Sequence, residues 1–221
     1  MVKNTSQYEN LFPTLLMEYD LRDFYHKPSL KQTLLDSMEG IDPIDGNHRN
    51  FPYSWSSYNY DRDCLKPFPD LKKEIMNCIN HYAKTAGFKQ QNYRESWFNI
   101  YKEGGEATPH VHYRCQVSAT FYPILDEGSV GLTLWRTLHE NLKPVDQFSS
   151  AMETETPYTI ENREIPIKEG HMYVWPSWTK HSTGINESQE RWMIGINTND
   201  TIEEIAGQRR TINIKDLKIR R

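Results

Sequence analysis

The sequence lacks the features that define several large protein classes. Only three of its 221 residues are cysteines, and none forms a CxxC pair. This predicts no disulfide framework and favours a reducing compartment, the cytoplasm. No run approaches 18 apolar residues, and the opening segment MVKNTSQYEN has no apolar stretch. We therefore expect neither a membrane span nor a signal peptide.

An excess of basic residues is also missing. The 26 Lys and Arg residues are outnumbered by 30 Asp and Glu residues, which gives a formal net charge of −4. A nucleic-acid partner is not expected, because such proteins need a basic surface. GxSxG, Walker A and GxGxxG motifs are absent, which argues against the hydrolase, NTPase and dinucleotide-binding classes that carry them. The length favours a single domain, residues 1–221.

The first part of the chain, residues 1–92, is predicted to be mainly helical. Apolar residues recur at helical spacing in two segments, and a glycine, Gly40 or Gly87, follows each segment. The apolar positions are Leu30, Leu34, Leu35 and Met38 in the first segment and Leu71, Ile75, Cys78, Ile79, Tyr82 and Ala86 in the second. Asp70 is the predicted N-cap of the second helix. The polar and aromatic stretch from Gly46 to Asp63 is predicted to be a long loop that suits binding.

From residue 93 onwards the sequence changes to short β-branched and aromatic runs. SWFNIY, CQVSATFYPI, VGLTLW, HMYVW and RWMIGIN are separated by Gly, Pro, Asn and Asp. This pattern is typical of antiparallel sandwiches and barrels. Residues 93–198 are therefore predicted to form a β core, interrupted by a polar insertion from Leu138 to Asn162. The helices are expected to pack on one sheet, and residues 199–221 are a basic extension.

The main chemical signal is the pair of histidines in PHVHY, residues 109–113. Residues i and i+2 of a strand point to the same face. His110 and His112, placed at the start of the CQVSATFYPI strand, are therefore expected to point the same way. Two imidazoles directed at one point suit Fe, Zn, Cu or Ni. The pair alone does not distinguish a metal site from two neighbouring surface histidines.

Other residues strengthen the metal hypothesis. His181 follows the next aromatic β run, in WPSWTKHSTGIN, and Arg191 opens the strand RWMIGIN ten residues later. A buried arginine on a strand needs an anionic partner, and its planar fork suits a carboxylate. Asn99 and Tyr101 share one face of the preceding strand and are expected to enter the same site. The resulting order is N-x-Y, H-x-H, H and R.

This order of motifs resembles that of the Fe(II)/2-oxoglutarate-dependent oxygenases, and most of all a small bacterial and phage branch of them. The resemblance lies in EGGEATPHVH, IPIKEGHMYVWPSWTKH and ERWMIGIN, within residues 93–198, and LFPTLLMEYDL is similar to the opening of that branch. It implies a mainly β fold with flanking α-helices. The core would be a double-stranded β-helix, the jelly roll that cupins also have.

The resemblance implies a role for each matching residue. His110 matches the first metal ligand, His181 the distal ligand, and Arg191 the residue that pairs with the far carboxylate of 2-oxoglutarate. Asn99 and Tyr101 match co-substrate contacts. The second ligand position departs from the family pattern, because His112 stands where most of the superfamily has Asp or Glu. We rank His112 first for its spacing; the nearby carboxylates that remain alternatives are Glu106, Asp126 and Glu127.

Some further residues are expected near this site. Ser118 and Thr120 share the strand parity of His112, so we expect them to face the co-substrate. Tryptophans flank the predicted site strands as pocket walls or as core residues. They are Trp135, Trp175 and Trp178.

The cofactors that the resemblance implies are Fe(II), 2-oxoglutarate as co-substrate, and O₂. The expected reaction is hydroxylation of an unactivated C–H bond, with succinate and CO₂ as co-products, catalysed by His110, His112, His181 and Arg191. The substrate is expected to be a small molecule, a peptide or a protein. Two alternatives stay open: a cupin-like three-histidine metalloenzyme that does not use 2-oxoglutarate, and a non-catalytic β-barrel binding module. Arg191 favours the oxygenase. Exposed sheet edges in such folds also favour a homodimer.

Overall fold

Two antiparallel sheets pack against each other in the part of the chain that the computed structural model describes, which is residues 13–41, 53–136 and 160–200. The strands are β1 (Met17–Asp20), β2 (Ser54–Ser56), β3 (Asn92–Tyr101), β4 (Val117–Leu125), β5 (Leu132–Trp135), β6 (Asn162–Ile165), β7 (His171–Pro176), β8 (His181–Thr183) and β9 (Arg191–Asn199). The larger sheet has the order β1-β7-β4-β9-β3-β2, and the smaller has the order β6-β5-β8. The prediction of a mainly β, jelly-roll fold is confirmed.

Several predictions concern residues outside the described ranges. They are the greater part of the polar insertion, the beginning of the loop from Gly46 and nearly all of the basic extension.

The long strands of the larger sheet are buried on both faces, and alternate residues serve two different purposes. One face is apolar and packs on the helices; its members include Phe98, Ile100, Val117, Ala119, Phe121, Met172, Val174, Trp192, Ile194 and Ile196. The opposite face is directed at the smaller sheet and mixes aromatic with polar side chains; its members include Trp97, Asn99, Tyr101, Ser118, Thr120, Tyr122, Tyr173, Trp175, Arg191, Met193 and Asn197. The period-two alternation of a strand thus separates core from site.

Gly195 lies at the one position of β9 where a side chain would clash with this second face. A Cβ built there would lie 2.5 Å from Cζ2 of Trp97 on the paired strand β3. Real Cβ contacts are not that short. The glycine therefore allows the Trp97 indole to lie across the sheet.

The two predicted helices are present and cover the apolar face. They are α1 (Lys27–Asp36) and α2 (Pro69–Ala86). Helix α2 ends as expected at Gly87, whose φ of 81° is the left-handed C-cap conformation. It begins one residue before the predicted cap. Phe68 is the N-cap and Pro69 occupies the first turn, where a missing N–H costs nothing, while Asp70 lies in that first turn.

The first 92 residues are not only helical. Strand β1 pairs with β7 and strand β2 with β3, so both ends of the larger sheet come from the N-terminal part. The second of these strands replaces the middle of the predicted long loop. MEYD and SWS are too short to show a period-two pattern, which is why periodicity alone did not predict them. Neither helix described here combines the length and the apolar character needed to cross a membrane.

Candidate metal and co-substrate site

Backbone pairing brings the histidines together. His110 and His181 form an isolated antiparallel bridge in which each N–H donates to the other's carbonyl oxygen at 2.9 Å. The backbone N–H of His112 donates to the carbonyl of Ser177 at 3.2 Å. The prediction that the HxH pair lies at the start of a strand is wrong, because β4 begins only at Val117. The extended segment before that strand holds it instead.

The three rings converge. Their centroids are 5.2 Å apart for His110 and His112, 4.3 Å for His110 and His181, and 4.7 Å for His112 and His181. One nitrogen of each ring lies within 4.8 Å of those of the other two. Among the described residues this is the one group of His, Cys, Asp or Glu that is placed to hold a metal ion. The alternative carboxylates of Glu106, Asp126 and Glu127 are not part of it.

Each ring is held in the tautomer that a metal ligand needs. Nδ1 of His110 lies 2.7 Å from the carbonyl oxygen of Thr108, and Nδ1 of His181 lies 3.0 Å from that of Thr179. A carbonyl only accepts, so both Nδ1 atoms carry the proton. His112 follows the same rule, because its Nδ1 is 2.7 Å from Oδ1 of Asn197. With the proton on Nδ1, Nε2 is the ring nitrogen that can bind a metal in each of the three histidines.

Burial favours the neutral form of two of these rings. The pKa of His112 falls to about 4, because burial disfavours the charged ring and His110 lies beside it. The pKa of His181 is lowered well below its usual value for the same reasons, with burial first and the two other histidines next. A neutral imidazole is the form that binds a metal.

A buried carboxylate is connected to the histidines through one amide. Glu95 is 7% exposed. Its Oε1 accepts from Nδ2 of Asn197 at 2.9 Å, and Oδ1 of Asn197 faces His112. On the other side Arg62 donates to Oε2 of Glu95 at 2.9 Å. The negative charge that three neutral histidines lack is thus present two hydrogen bonds behind His112.

Arg191 is fully buried without an acidic partner among the described residues. Its Nη1 donates to the carbonyl of Val130 at 2.8 Å and its Nη2 to Oγ1 of Thr183 at 3.0 Å, while the guanidinium lies 4.4 Å from the centroid of Tyr101. Its Nε has no hydrogen-bond partner. Burial lowers the pKa of this guanidinium. A buried cation with an unused donor suits an incoming carboxylate.

A cavity of about 390 Å³ is lined by the three histidines, and Tyr101 and Thr183, which contact Arg191, line it as well. Asn99, Tyr101 and Thr120 line it, as expected of co-substrate contacts. Tyr122 lines it as well, and its hydroxyl and Oδ1 of Asn99 are both buried without a hydrogen-bond partner. Ser118, which was expected to face the co-substrate, is not among the residues that line the cavity. It lies behind His112, where its hydroxyl is 3.0 Å from both His112 Nδ1 and Asn197 Oδ1.

The three predicted tryptophans occupy different environments. Trp175 is fully buried and its ring meets His181 edge-on, with centroids 5.0 Å apart. Trp135 is half-buried and donates to Oγ of Ser182 at 2.8 Å. Trp178 is 55% exposed and packs on Phe88, away from the cavity.

Several residues that the fold brings to the site were not predicted from the sequence. They are Glu95, Trp97, Arg114, Tyr122, Thr183 and Asn197. Strand parity offered a signal for some of them, since residues 95 and 97 share a face with Asn99, and residue 197 shares one with Arg191. Which strands are neighbours was not readable from the sequence.

One family model matches the β core of this chain. The family model described as "Putative 2OG-Fe(II) oxygenase" matches residues 95–197, which contain all three histidines and Arg191. No curated protein matches the chain.

Solved structures with a similar fold include a hydroxylase and an epimerase. The viral collagen prolyl hydroxylase vCPH of Paramecium bursaria Chlorella virus-1, solved with 2-oxoglutarate, has a TM-score of 0.52 at 12% identity, over 84% of this chain and 96% of its own. HygX from Streptomyces hygroscopicus, solved with nickel and 2-oxoglutarate, has a TM-score of 0.52 at 11% identity, over 86% and 84%. SnoN, a non-heme α-ketoglutarate-dependent epimerase from nogalamycin biosynthesis, has a TM-score of 0.56 at 10% identity, over 84% and 78%. At these identities the likeness shows the fold.

Proposed function

We propose that this protein is an Fe(II)/2-oxoglutarate-dependent dioxygenase that hydroxylates an unactivated C–H bond, and the match of the oxygenase family model to residues 95–197 supports the proposal. Its cofactors are Fe(II), 2-oxoglutarate and O₂, and succinate and CO₂ would be the co-products. The observation that carries the proposal is the convergence of one nitrogen from each of three histidines, together with a buried arginine whose Nε has no hydrogen-bond partner. When bound, Fe(II) and 2-oxoglutarate supply the activation of O₂ that oxidises the substrate.

Different side chains of the site would bind the metal and the co-substrate. His110, His112 and His181 would hold the metal through Nε2, while each Nδ1–H donates to the oxygen that orients its ring. Arg191 would bind the far carboxylate of 2-oxoglutarate. Asn99, Tyr101, Thr120 and Tyr122 would contact the co-substrate along the cavity wall.

The surroundings would protect the reaction from water. Leu132, Met193 and Tyr101 belong to the apolar cluster between the two sheets, and Trp175 lies against His181. Removing water strengthens the interaction between a guanidinium and a carboxylate. It also limits side reactions of the activated site.

An anaerobic titration tests the metal and co-substrate part of the proposal. Fe(II) is added to the apoprotein, followed by 2-oxoglutarate, and the visible spectrum is recorded. We expect a charge-transfer band that requires both additions. The band should be lost in His181→Ala and kept in His171→Ala, since His171 lies outside the cavity and pairs with Glu18. Iron binding without a band would refute binding of 2-oxoglutarate at the metal.

Labelled oxygen then tests the proposed reaction. Hydroxylation places one atom of O₂ in succinate and the other in the product, so the product should gain one labelled oxygen. Mass spectrometry of a candidate substrate set measures both. If a substrate is converted without gaining oxygen, as in an epimerisation, the hydroxylase proposal is overturned. The proposal of a metal and co-substrate site would still stand.

A further inference from the structure

The far end of the cavity, away from Arg191, contains three arginines and one carboxylate. Arg62, Arg94 and Arg114 line it, and Glu95 is the one acidic residue among the described residues that do so. Glu95 is already engaged, because it accepts from Arg62 and from Asn197. The cavity end therefore has an excess of positive charge that the described part of the chain does not neutralise.

The three arginines are not equally available. The guanidinium of Arg62 pairs with Glu95 and lies 3.8 Å above the ring of Tyr58. Arg94 is 24% exposed in its side chain, and its Nε is 3.9 Å from Glu95. Arg114 is exposed, and among the described residues no carboxylate pairs with it. Arg114 is thus the cation most open to an added anion.

The backbone of Arg114 is constrained in an unusual conformation. Its φ is 61°, in the left-handed region that residues other than glycine seldom adopt. The carbonyl oxygen of Arg114 accepts from Nη1 of Arg94 and from Nδ2 of Asn199 at 3.0 Å. These donors fasten the turn that directly follows His112. Strained backbone that neighbouring groups hold in place is typical of binding sites.

These cations lie too far from Arg191 to serve the same anion. On strand β9, Arg191 and Asn197 are six residues apart, which corresponds to roughly 20 Å along a strand. Strand β3 repeats this arrangement, because Tyr101 pairs with Arg191 and Glu95 pairs with Asn197. A five-carbon diacid bound by Arg191 does not reach the other end. The arginines next to Glu95 therefore belong to a different ligand.

We propose that the substrate is a small organic anion whose carboxylate or phosphate is bound by Arg114 and Arg94. Its apolar body would lie between this anion site and the histidines, against Trp97 and Tyr113, which line the same cavity. Trp97 is 7% exposed and Tyr113 is 83% exposed, so one ring forms an inner wall and the other stands at the rim. This inference rests on the proposed function, since it assigns a substrate to the oxygenase cavity.

Paired probes test the charge requirement. Phenyl phosphate is compared with phenol, and hippurate with hippuramide, by ligand-observed NMR titration of protein loaded with Fe(II) and saturating 2-oxoglutarate under anaerobic conditions. We expect each anion to bind about tenfold or more tightly than its neutral partner. Added salt should weaken only the anions. The relative affinity of phosphate and carboxylate tells which of the two groups the site prefers.

Arg114→Met is the decisive variant, and Arg163→Met is its matched control on the exposed surface of β6. Arg114→Met should lower the affinity for both anions about tenfold and leave the neutral probes unchanged, whereas Arg163→Met should match wild type. Equal binding of anion and neutral partner in wild type, or wild-type anion affinity in Arg114→Met, would overturn the proposal.

The charge-transfer band separates this inference from the proposed function. If wild type and Arg114→Met both show the band and neither prefers anions, only the substrate proposal fails. If wild type shows no band, the oxygenase proposal itself has failed.

Discussion

Asn197 orients His112: its Oδ1 accepts from Nδ1 of the ring at 2.7 Å, and its own Nδ2 is tied to Glu95 at 2.9 Å. Partners of this kind fix the tautomer and direction of a metal-binding histidine. Asn197→Leu should therefore lower Fe(II) affinity by about 10- to 100-fold, measured by competition with a chelator. Asn77→Leu, on the exposed face of α2, is the control. Unchanged affinity in Asn197→Leu would show that the ring needs no such support.

Glu95 is expected to tune the metal through the same amide. Glu95→Gln removes a buried negative charge two hydrogen bonds from His112, and loss of that charge disfavours Fe(III) more than Fe(II). The reduction potential of the bound iron should therefore shift to a more positive value, measured by spectroelectrochemistry. Glu164→Gln, exposed on β6, should not change it. A potential that is the same in both variants would contradict the expected coupling.

Arg191→Met should weaken 2-oxoglutarate binding without removing the metal site. Loss of one partner from a buried, hydrogen-bonded charge pair costs roughly 2 kcal/mol or more, which is about thirtyfold in affinity. Arg191→Lys should recover only part of the loss, because an ammonium lacks the planar fork. The titration that yields the charge-transfer band measures both. If neither variant changes the midpoint for 2-oxoglutarate, the co-substrate is bound elsewhere.

Tyr122→Phe tests whether the unpaired hydroxyl lowers the stability of the apoprotein and whether it contacts 2-oxoglutarate. The buried hydroxyl has no partner in the described structure, and such a group costs about 1–3 kcal/mol. The apoprotein should be as stable as wild type or more so, by urea unfolding. The stabilisation that 2-oxoglutarate adds to the metal-loaded protein should be smaller, because a ligand contact is lost. Equal stabilisation in both proteins would exclude Tyr122 as a contact.

Gly195→Ala should destabilise the sheet through Trp97. The new methyl group would lie 2.5 Å from Cζ2 of the indole, and overpacking of this kind costs roughly 1–3 kcal/mol. Trp97→Phe removes that atom, so the alanine should cost less in a Trp97→Phe background. A double-mutant cycle of unfolding free energies measures the coupling, expected at about 0.5–3 kcal/mol. Additive effects would show that the sheet relaxes by another route.

Patterns within one segment accounted for much of the fold. Helix α2 and its glycine stop followed from helical spacing, and the jelly-roll class followed from the succession of short strands with the resemblance. The edge strands β1 and β2 were missed because three or four residues show no period. The start of the strand after PHVHY was also placed too early. A turn at Tyr113 and Arg114 lies between them. Arg114 adopts a left-handed conformation there, which is not expected of an arginine from sequence alone.

The site was predictable only where residue type and motif order were informative. Three histidines and Arg191 stand out by type, and the structure brings the histidines together. Glu95 and Asn197 looked like ordinary polar residues in the sequence. Their connection to His112 depends on the pairing of β3 with β9 over a sequence separation of about one hundred residues. Such long-range pairing leaves no mark in either segment taken alone.

The alternation of the long strands has a consequence for how this scaffold evolves. From Glu95 to Tyr101 of β3 and along β9, even-numbered residues such as Phe98 and Ile194 pack on the helices, and odd-numbered ones such as Asn99 and Met193 face the site. Changes at odd positions other than Gly195 replace side chains that do not belong to the helix-covered core. Selection can therefore exchange cavity side chains, and with them the molecule that is accepted, while the apolar face under the helices is kept. A protein built in this way can acquire a new substrate by single steps, none of which requires the core to be rebuilt.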